Sequence, residues 1–593
     1  MALLVQKFGG TSVGNLERIN AIAKRIAIRH EEGNSLVIVV SAMGGTTDEL
    51  MNMAYRIHPN PPSREIDMLL ATGEQVSIAL LSIALNKLGI AAVSMTGAQV
   101  GIITEATHGQ ARILKVHTER ISKYLEQDYV VIVAGFQGTS RNANGFPEIT
   151  TLGRGGSDTS AVAIAAALNA DACEIYTDVI GILTTDPRTV ETAQLIQTIS
   201  CDEMLELASL GAAVLHPRAV EIARNYGVLL SVRSSWTLSP GTLLIGGSYK
   251  QINEEGLELG KSVYNAELIE NQAAIRIYYL PDIPGITATL FEGLAKANLN
   301  VDLISQTGNP NSTISISFTL GNQQLKEAYT VCRRILNALR ANEAIIIAEG
   351  EMAKLSISGV GIMSRHGILA LLLEALAGKN IKLTIIATSE VKVSCLINEK
   401  DGSKSLKAVL QAFGITECQL SYSQLSSNLT IAKVRGVALD MNQVQISVRN
   451  IPDSSEIAAA ICRGLADAFI RISAMVQSEN LNEASNLSSR DITFILHKND
   501  QSQVKDILSR LLYRWPEIKF EDGPTLARVS AVGGGIKGTL SIAAQMFRSL
   551  SIAGINIQMI TTSEIRTSCM VHEVDGPDAL QSVHSCFELG KTV

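Results

Sequence analysis

The sequence predicts a doubly wound α/β domain with a mainly parallel sheet over residues 1–245, followed by small α+β units repeated to the end of the chain. Three observations carry this. Continuous apolar strands alternate with helical periodicity through the first half. Each of those strands runs out into glycine, hydroxyl or acidic residues, where α/β sheets bind ligands. The second half repeats itself at a fixed offset.

The first strand, Leu4 to Phe8, carries Lys7 and enters Gly9-Gly10-Thr11-Ser12-Val13-Gly14. Glycines let the backbone approach a ligand that a side chain would block, and free N–H groups at a helix start favour an anion. Lys7 adds a full positive charge. The pattern suits phosphate, although the Gly-Lys-Ser/Thr of a P-loop is missing and a Gly-Gly turn also serves as a tight connection. Ile19, Ile22 and Ile26 then fall at helical spacing among Glu17, Arg18, Lys24 and Arg25, an amphipathic helix. Leu36 to Val40 is apolar throughout, as in a sheet covered on both faces, and ends in Ser41-Ala42-Met43-Gly44-Gly45-Thr46-Thr47-Asp48.

Val130 to Ala134 ends in Gly135-Phe136-Gln137-Gly138. Beyond it, Leu152-Gly153-Arg154-Gly155-Gly156-Ser157-Asp158 stands at the mouth of an alanine-rich helix that Ser157 or Asp158 can cap. Arg154 there can take a carboxylate or phosphate through two parallel hydrogen bonds. Cys173 to Tyr176 ends in Thr177-Asp178, with Thr184-Thr185-Asp186-Pro187-Arg188 beyond.

A chain of 593 residues holds several domains at ~150 residues each. A hydrophobic share of 46% and a charged share of 18% exclude a mainly disordered chain. The net charge of −7, with no long basic run, argues against a nucleic-acid binder. The eight cysteines form no CxxC pair, so neither a zinc ribbon nor a disulfide framework is implied. No uncharged apolar run approaches ~18 residues, so no membrane span is expected. The first motif begins within a few residues of Met1, so no signal or transit peptide is expected, and the expected location is cytoplasmic.

Lys-Phe-Gly-Gly-Thr-Ser at 7–12, Ser-Ala-Met-Gly at 41–44, Gly-Glu at 73–74, Thr-Leu-Gly-Arg-Gly-Gly-Ser-Asp at 151–158, and Tyr-Thr-Asp-Val with Thr-Asp-Pro-Arg between 176 and 188 together resemble the aspartate kinases of the amino-acid kinase family. The resemblance covers the first half in order and implies a catalytic domain over 1–250. It implies transfer of the γ-phosphoryl group of Mg2+-bound ATP to the side-chain carboxylate of L-aspartate, giving 4-phospho-L-aspartate on the way to lysine, threonine and methionine. It implies Lys7 and Asp178 as catalytic residues, with Lys7, Phe8, Gly9, Gly10, Thr11 and Ser12 on the phosphates. Tyr176, Thr177, Asp186 and Arg188 would line the nucleotide pocket. Ser41, Thr47, Glu74, Arg154, Gly155, Gly156 and Ser157 would hold aspartate, Glu74 answering its ammonium and Arg154 a carboxylate. No side chain is assigned to the metal. One departure stands out: relatives carry a second lysine in the serine-pair loop, and here Arg233-Ser234-Ser235-Trp236-Thr237-Leu238-Ser239-Pro240 has none. Arg233 or Arg188 is the expected substitute.

In the second half, Lys354 to Ile362 recurs as Arg528 to Ile536, and Thr388 to Ile397 recurs as Thr562 to Val571, both at an offset of 174 positions. Each copy splits again into a β–α–β–β–α order, giving four units with expected bounds 265–345, 346–425, 440–520 and 521–593. The units resemble ACT domains, amino-acid-sensing modules found at the C-terminus of aspartate kinases. That resemblance implies lysine and/or threonine as effectors bound where two modules meet, and a homodimer through ACT modules and/or kinase domains. Carried over, a first pair would use Asp282, Gly285, Asn300, Asp302 and Gln306 with Ser389 and Glu390. A second pair would use Gln477, Asn556, Ser563 and Glu564, with Ile451-Pro452-Asp453-Ser454-Ser455 in place of the Asp-Ile-Pro-Gly turn at 282–285. The extra pair reads alternatively as scaffold.

Two other functions compete. One is a kinase for another small acid such as glutamate or acetylglutamate, against which Glu74, Arg154 and the repeats speak. The other is an amino-acid sensor with an inactive kinase domain, against which Lys7 and Asp178 speak. No dinucleotide fingerprint follows the repeats, so a fused dehydrogenase is disfavoured.

Overall fold

The computed structural model describes residues 2–210, 214–246, 256–258, 263–309, 312–359, 362, 365, 367–415, 434–452, 455–480, 489–534 and 540–591. Asp453 and Ser454 of the altered turn, and Cys418, lie outside them. The chain divides into two compact units, one drawn from residues 1–183, 195–208 and 212–260, the other from 184–194, 209–211 and 261–593.

The first unit contains strands β1 (Leu3–Phe8), β2 (Ser35–Val40), β3 (Ala92–Met95), β4 (Ile102–Thr104), β5 (Ile113–Val116), β6 (Val130–Ala134), β7 (Gln137–Arg141), β8 (Pro147–Thr151), β9 (Ala172–Thr177), β10 (Thr198–Ser200), β11 (Leu230–Ser234) and β12 (Thr242–Ile245). The main sheet runs β10-β12-β11-β9-β1-β2-β6-β3 and is parallel except where β11 meets β12. A smaller sheet runs β5-β4-β7-β8. Continuous apolar stretches make the central strands, as expected for strands covered on both faces: all five residues of β6 and five of six in β2 are buried. Their register places Phe8 beside both Val40 and Tyr176, so three polar strand ends open on one edge.

The helix Leu16–Glu31 starts where Asn15 accepts a hydrogen bond from Arg18 N, and it buries Ile19, Ile22 and Ile26 against Leu36 and Ile38. The helix Ser63–Lys87 is long and apolar enough to cross a membrane, yet half of its apolar window is buried within the protein. It carries two buried carboxylates, Asp67 and Glu74. The helix Gly156–Leu168 departs from expectation, because neither Ser157 nor Asp158 caps it. Gly155 occupies that position in the left-handed region, at φ 70°, where a Cβ would stand 2.3 Å from the His216 ring. Asp158 therefore sits inside the first turn, free to reach into the cleft.

The second unit is built on one twelve-stranded sheet. Its order is Ile385–Thr388, Lys392–Asn398, Ile345–Gly359, Val263–Pro281, Thr313–Gly321, Val301–Asn309, Met559–Thr562, Arg566–His572, Lys519–Val532, Gly436–Pro452, Ser489–His497 and Ile472–Asn480. Four β–α–β–β–α modules share it. Long strands each serve two modules: Val263–Pro281 pairs along its length with Ile345–Gly359, while its second half also pairs with Thr313–Gly321. Positions 265, 345, 440 and 520 thus fall within strands that neighbouring modules share.

This sharing corrects the expected pairing of modules. Sequence neighbours are fixed side by side by a common strand, so each turns its free edge toward a module of the other half. Module 1 adds Val301–Asn309 to Met559–Thr562 of module 4, with Ser305 opposite Thr561, and Phe291 meets Phe547 edge-on at 5.5 Å. Module 2 packs its helix Ile368–Ala377 on Ser455–Asp467 of module 3, where Arg463 forms a two-bonded pair with Glu374 at 2.6 and 2.7 Å. The segment 184–194 also belongs to this unit. The Thr184 hydroxyl lies 3.0 Å from His584 Nε2, and Thr184 O accepts from Val437 N.

Candidate active site

The polar edge of the main sheet is the candidate site. At its centre, Gly44 N donates to Gly10 O at 3.0 Å and a Cβ on Gly10 would lie 2.8 Å from Ala42 O. Only glycine lets the turns after β1 and β2 come this close, leaving a side-chain-free cradle beside Lys7. Ser12 from this turn shares a buried 2.6 Å hydrogen bond with Ser235, which fastens the serine-pair loop to it. Arg25 donates to the carbonyls of Ser234, Ser235 and Thr237 and lies over the Tyr176 ring.

Lys7 Nζ is 2.6 Å from Asp158 Oδ1, and both side chains are almost fully buried. A paired lysine keeps its charge in place when water is excluded. Asp178, expected as a catalytic residue, accepts a local bond from Thr177 Oγ1 at 3.1 Å. Tyr176 also departs from its expected role. Its ring is 1% exposed, stacked on Phe8 at 4.8 Å, and its hydroxyl donates to Glu174, so it is part of the core. Asp186 and Arg188 bind each other at 2.7 Å on the segment 184–194.

Neither arginine named for the second cation is free. Arg188 is taken by Asp186, and Arg233 Nη1 donates to Glu174 at 2.8 Å. Burial would raise the Glu174 carboxyl, but hydrogen bonds from Gln6 and Tyr176 and the Arg233 charge hold it below its ordinary value. Arg18 comes nearer the cradle: it donates to Thr11 O at 2.6 Å and lies over the Trp236 ring. Its position in the exposed stretch of an amphipathic helix gave no signal of this.

Glu74 lies on the helix Ser63–Lys87, 2% exposed. Its Oε1 accepts from Ala42 N at 3.2 Å, and Oε2 is buried without a hydrogen-bond partner. Burial pushes its carboxyl up to about 7. Arg154 is exposed at the tip of the Gly153–Gly156 turn and has no hydrogen-bond or ion-pair partner among the described residues. The turn rests on tight contacts: a Cβ on Gly153 would stand 3.0 Å from Gly109 O, and Arg218 donates to Leu152 O at 2.5 Å and, with Glu258, forms a pair at 2.7 Å. Ser41 N donates to Phe8 O, and Thr47 lies in the first turn of the helix Thr46–Ile57. The cleft thus offers one unsatisfied buried acceptor and one unpaired guanidinium, beside a lysine and a backbone cradle.

Among the effector candidates, Asn556 Nδ2 donates to Asp282 at 2.8 Å and Gln306 bridges Thr287 Oγ1 and Ile557 O. Gly285 and Asn556 line one small cavity between modules 1 and 4. Glu390 pairs with Arg471 of module 3, and Gln477 donates to Leu383 O of module 2. Asp302 pairs with Lys354, Glu564 with Lys392, the Ser389 hydroxyl turns back on Lys392, Ser563 N binds Arg566 O, and Asn300 N meets Gln324.

A mainly parallel sheet with a lysine–glycine cradle at its edge, followed by β–α–β–β–α modules, defines an amino-acid kinase with an appended array of small α+β modules. The description "Amino acid kinase family" matches residues 2–234, and "ACT domain" matches 279–336, 355–413 and 529–587. The chain is 47% identical over 416 residues to an aspartokinase of Bacillus sp. (strain MGA3), covering 70% of this chain and 98% of that protein. It is 47% identical over 417 residues to aspartokinase 2 of Bacillus subtilis (strain 168), covering 70% and 99%. The solved aspartate kinase from Synechocystis is 48% identical and superposes with a TM-score of 0.86, covering 100% of this chain and 99% of that one. The chain belongs to the aspartokinase family and is an aspartate kinase.

Proposed function

We propose that the cleft transfers the γ-phosphoryl group of ATP to the side-chain carboxylate of L-aspartate, and that lysine and/or threonine inhibit this at the module interfaces. The observation that carries the substrate reading is Glu74, whose buried Oε2 lacks a partner that an ammonium would supply. Arg154 takes a carboxylate with its planar fork, while Ser41, Thr47, Ser157 and the backbone of Gly155 and Gly156 complete the aspartate pocket. ATP supplies the transferable phosphoryl group. Phosphoryl transfer asks little covalent help from the protein, which must position two anions and neutralise the charge between them. Gly9 and Gly10 admit phosphate oxygens to the backbone, Thr11 and Ser12 add hydroxyls, and Lys7, aimed by Asp158, faces the charge that develops. A Cβ on Gly9 would stand 3.4 Å from Lys7 Nζ, so the glycine leaves the space beside that ammonium clear for phosphate oxygens. Magnesium takes phosphate oxygens and water more readily than an all-protein cage, and among the described residues no cluster of three acids, histidines or cysteines offers one.

The product is 4-phospho-L-aspartate, which places the enzyme at the first step toward lysine, threonine and methionine. The cavity at Gly285 and Asn556 supports an amino-acid effector site between modules 1 and 4, with Glu390 and Gln477 marking a second between modules 2 and 3. Two chains are proposed to associate through these modules and/or the kinase domains. ATP consumption measured with aspartate against glutamate, with and without lysine and threonine, tests the whole reading. Turnover that does not depend on aspartate would sink it.

A further inference from the structure

Asp67 is a buried carboxylate that the reaction does not use directly. It is 0% exposed, yet it spends its oxygens on two elements distant in sequence. Oδ1 accepts from Thr151 Oγ1 at 2.5 Å, both oxygens accept from Gly109 N at 3.2 Å, and Oδ2 lies 2.8 Å from His108 Nδ1. The far nitrogen of His108 is 3.3 Å from Glu148, so this brace is itself held from behind.

Its placement ties together the two ends of the substrate pocket. Asp67 and Glu74 are seven residues apart on the helix Ser63–Lys87, hence on one face and about 10 Å apart along the axis. Thr151 ends β8 and leads directly into Leu152-Gly153-Arg154. Gly109 backs the same turn, its carbonyl 3.0 Å from where a Gly153 Cβ would stand. The carboxylate therefore fixes the helix that carries the ammonium acceptor to the turn that carries the guanidinium. A group with no charge to offer, or an alanine, would leave these two elements joined only by softer contacts.

We propose that Asp67 is a positioning residue that sets the span between Glu74 and Arg154, and that gripping the ammonium and the α-carboxylate across this span fixes how far the side-chain carboxylate reaches toward the phosphoryl group, which selects aspartate over the one-methylene-longer glutamate. The inference rests on the proposed roles of Glu74 and Arg154. A misplaced receiving group weakens binding of the correct substrate while the phosphoryl-transfer machinery at Lys7 stays intact.

The test is steady-state kinetics of the full chain carrying Asp67→Asn, Thr151→Val or Thr151→Ser, with aspartate, glutamate and ATP each varied. Asp67→Asn and Thr151→Val are expected to raise the aspartate KM about tenfold, the loss of one charge-assisted buried bond. ATP KM and kcat are expected within about twofold to threefold of wild type, and the aspartate-to-glutamate ratio of kcat/KM is expected to fall. Thr151→Ser, which keeps the hydroxyl, is expected to behave as wild type. An unchanged aspartate KM in both Asp67→Asn and Thr151→Val overturns the proposal. So does a parallel rise in both KM values with a lowered Tm, which marks a purely structural role. If Arg154→Ala leaves the aspartate KM unchanged, the substrate assignment fails instead, and the two failures are told apart.

Discussion

Glu74→Gln is the perturbation with the most distinctive signature. Burial raises the Glu74 carboxyl from 4.5 to about 7. At ~1.4 kcal/mol per pH unit, that gap is on the order of 3 kcal/mol. The folded-state value lies above the unfolded one, so the protonated side chain contributes fully below pH 4.5. That contribution is lost as pH rises through 7, where the free protein must bury an incompletely paired charge. The neutral amide avoids this cost. Glu74→Gln is therefore expected to be more stable than wild type by up to about 3 kcal/mol at pH 8 and equal to it near pH 4.5, read from urea unfolding at both pH values. The same change removes the charge that answers the ammonium, so the aspartate KM is expected to rise by about a hundredfold. A wild-type corollary follows: aspartate binding near pH 7 should release protons, measured by calorimetry in buffers of different ionisation enthalpy. Equal stability of the two proteins at pH 8 would refute the buried-charge reasoning, and an unchanged aspartate KM would refute the binding role.

The remaining predictions concern the cradle, the lysine and the cavity between modules 1 and 4. Lys7→Ala is expected to lower kcat by about two orders of magnitude or more while effector binding, followed by tryptophan fluorescence or calorimetry, survives. Asp158→Asn, which leaves Lys7 unaimed, should lower kcat about tenfold to a hundredfold with little change in the aspartate KM; normal turnover would refute the aiming role given to Asp158. Gly10→Ala should cost about 1–3 kcal/mol of stability or raise the ATP KM, because its Cβ meets Ala42 O at 2.8 Å. Gln306→Ala should weaken inhibition at the module 1–module 4 site with catalysis kept, whereas Glu390→Gln should act on the site between modules 2 and 3. Inhibition curves for lysine and threonine separate the two.

Much of this protein was legible in the chain itself. The parallel sheet could be read because five apolar residues in a row, as in β6, have few other places to go. The glycine turn beside Lys7 could be read because Lys7, Gly9 and Gly10 fall within one short stretch, so their geometry is local. Repetition at a fixed offset disclosed the modules without any contact being known. The sequence could not rank Asp158 above Asp178, since both are acids that follow a strand or turn in the same domain. The choice depends on where the first turn of Gly156–Leu168 points once Gly155 has taken the left-handed position against His216. Nor could it foresee that Arg233 is occupied, because Glu174, itself bonded to Gln6, meets it only across neighbouring strands.

By itself, then, the sequence determined the strands, the glycine turns, the charged candidates and the count of modules, all of which follow from residue type and short-range order. Tertiary structure decided partnership: Lys7 with Asp158, Asp67 with Thr151 and Gly109, module 1 with module 4 and module 2 with module 3. The physical reason is the same in each case. A side chain's chemistry is local, but whether a buried charge is satisfied depends on which distant segment the closed fold brings within ~3 Å of it.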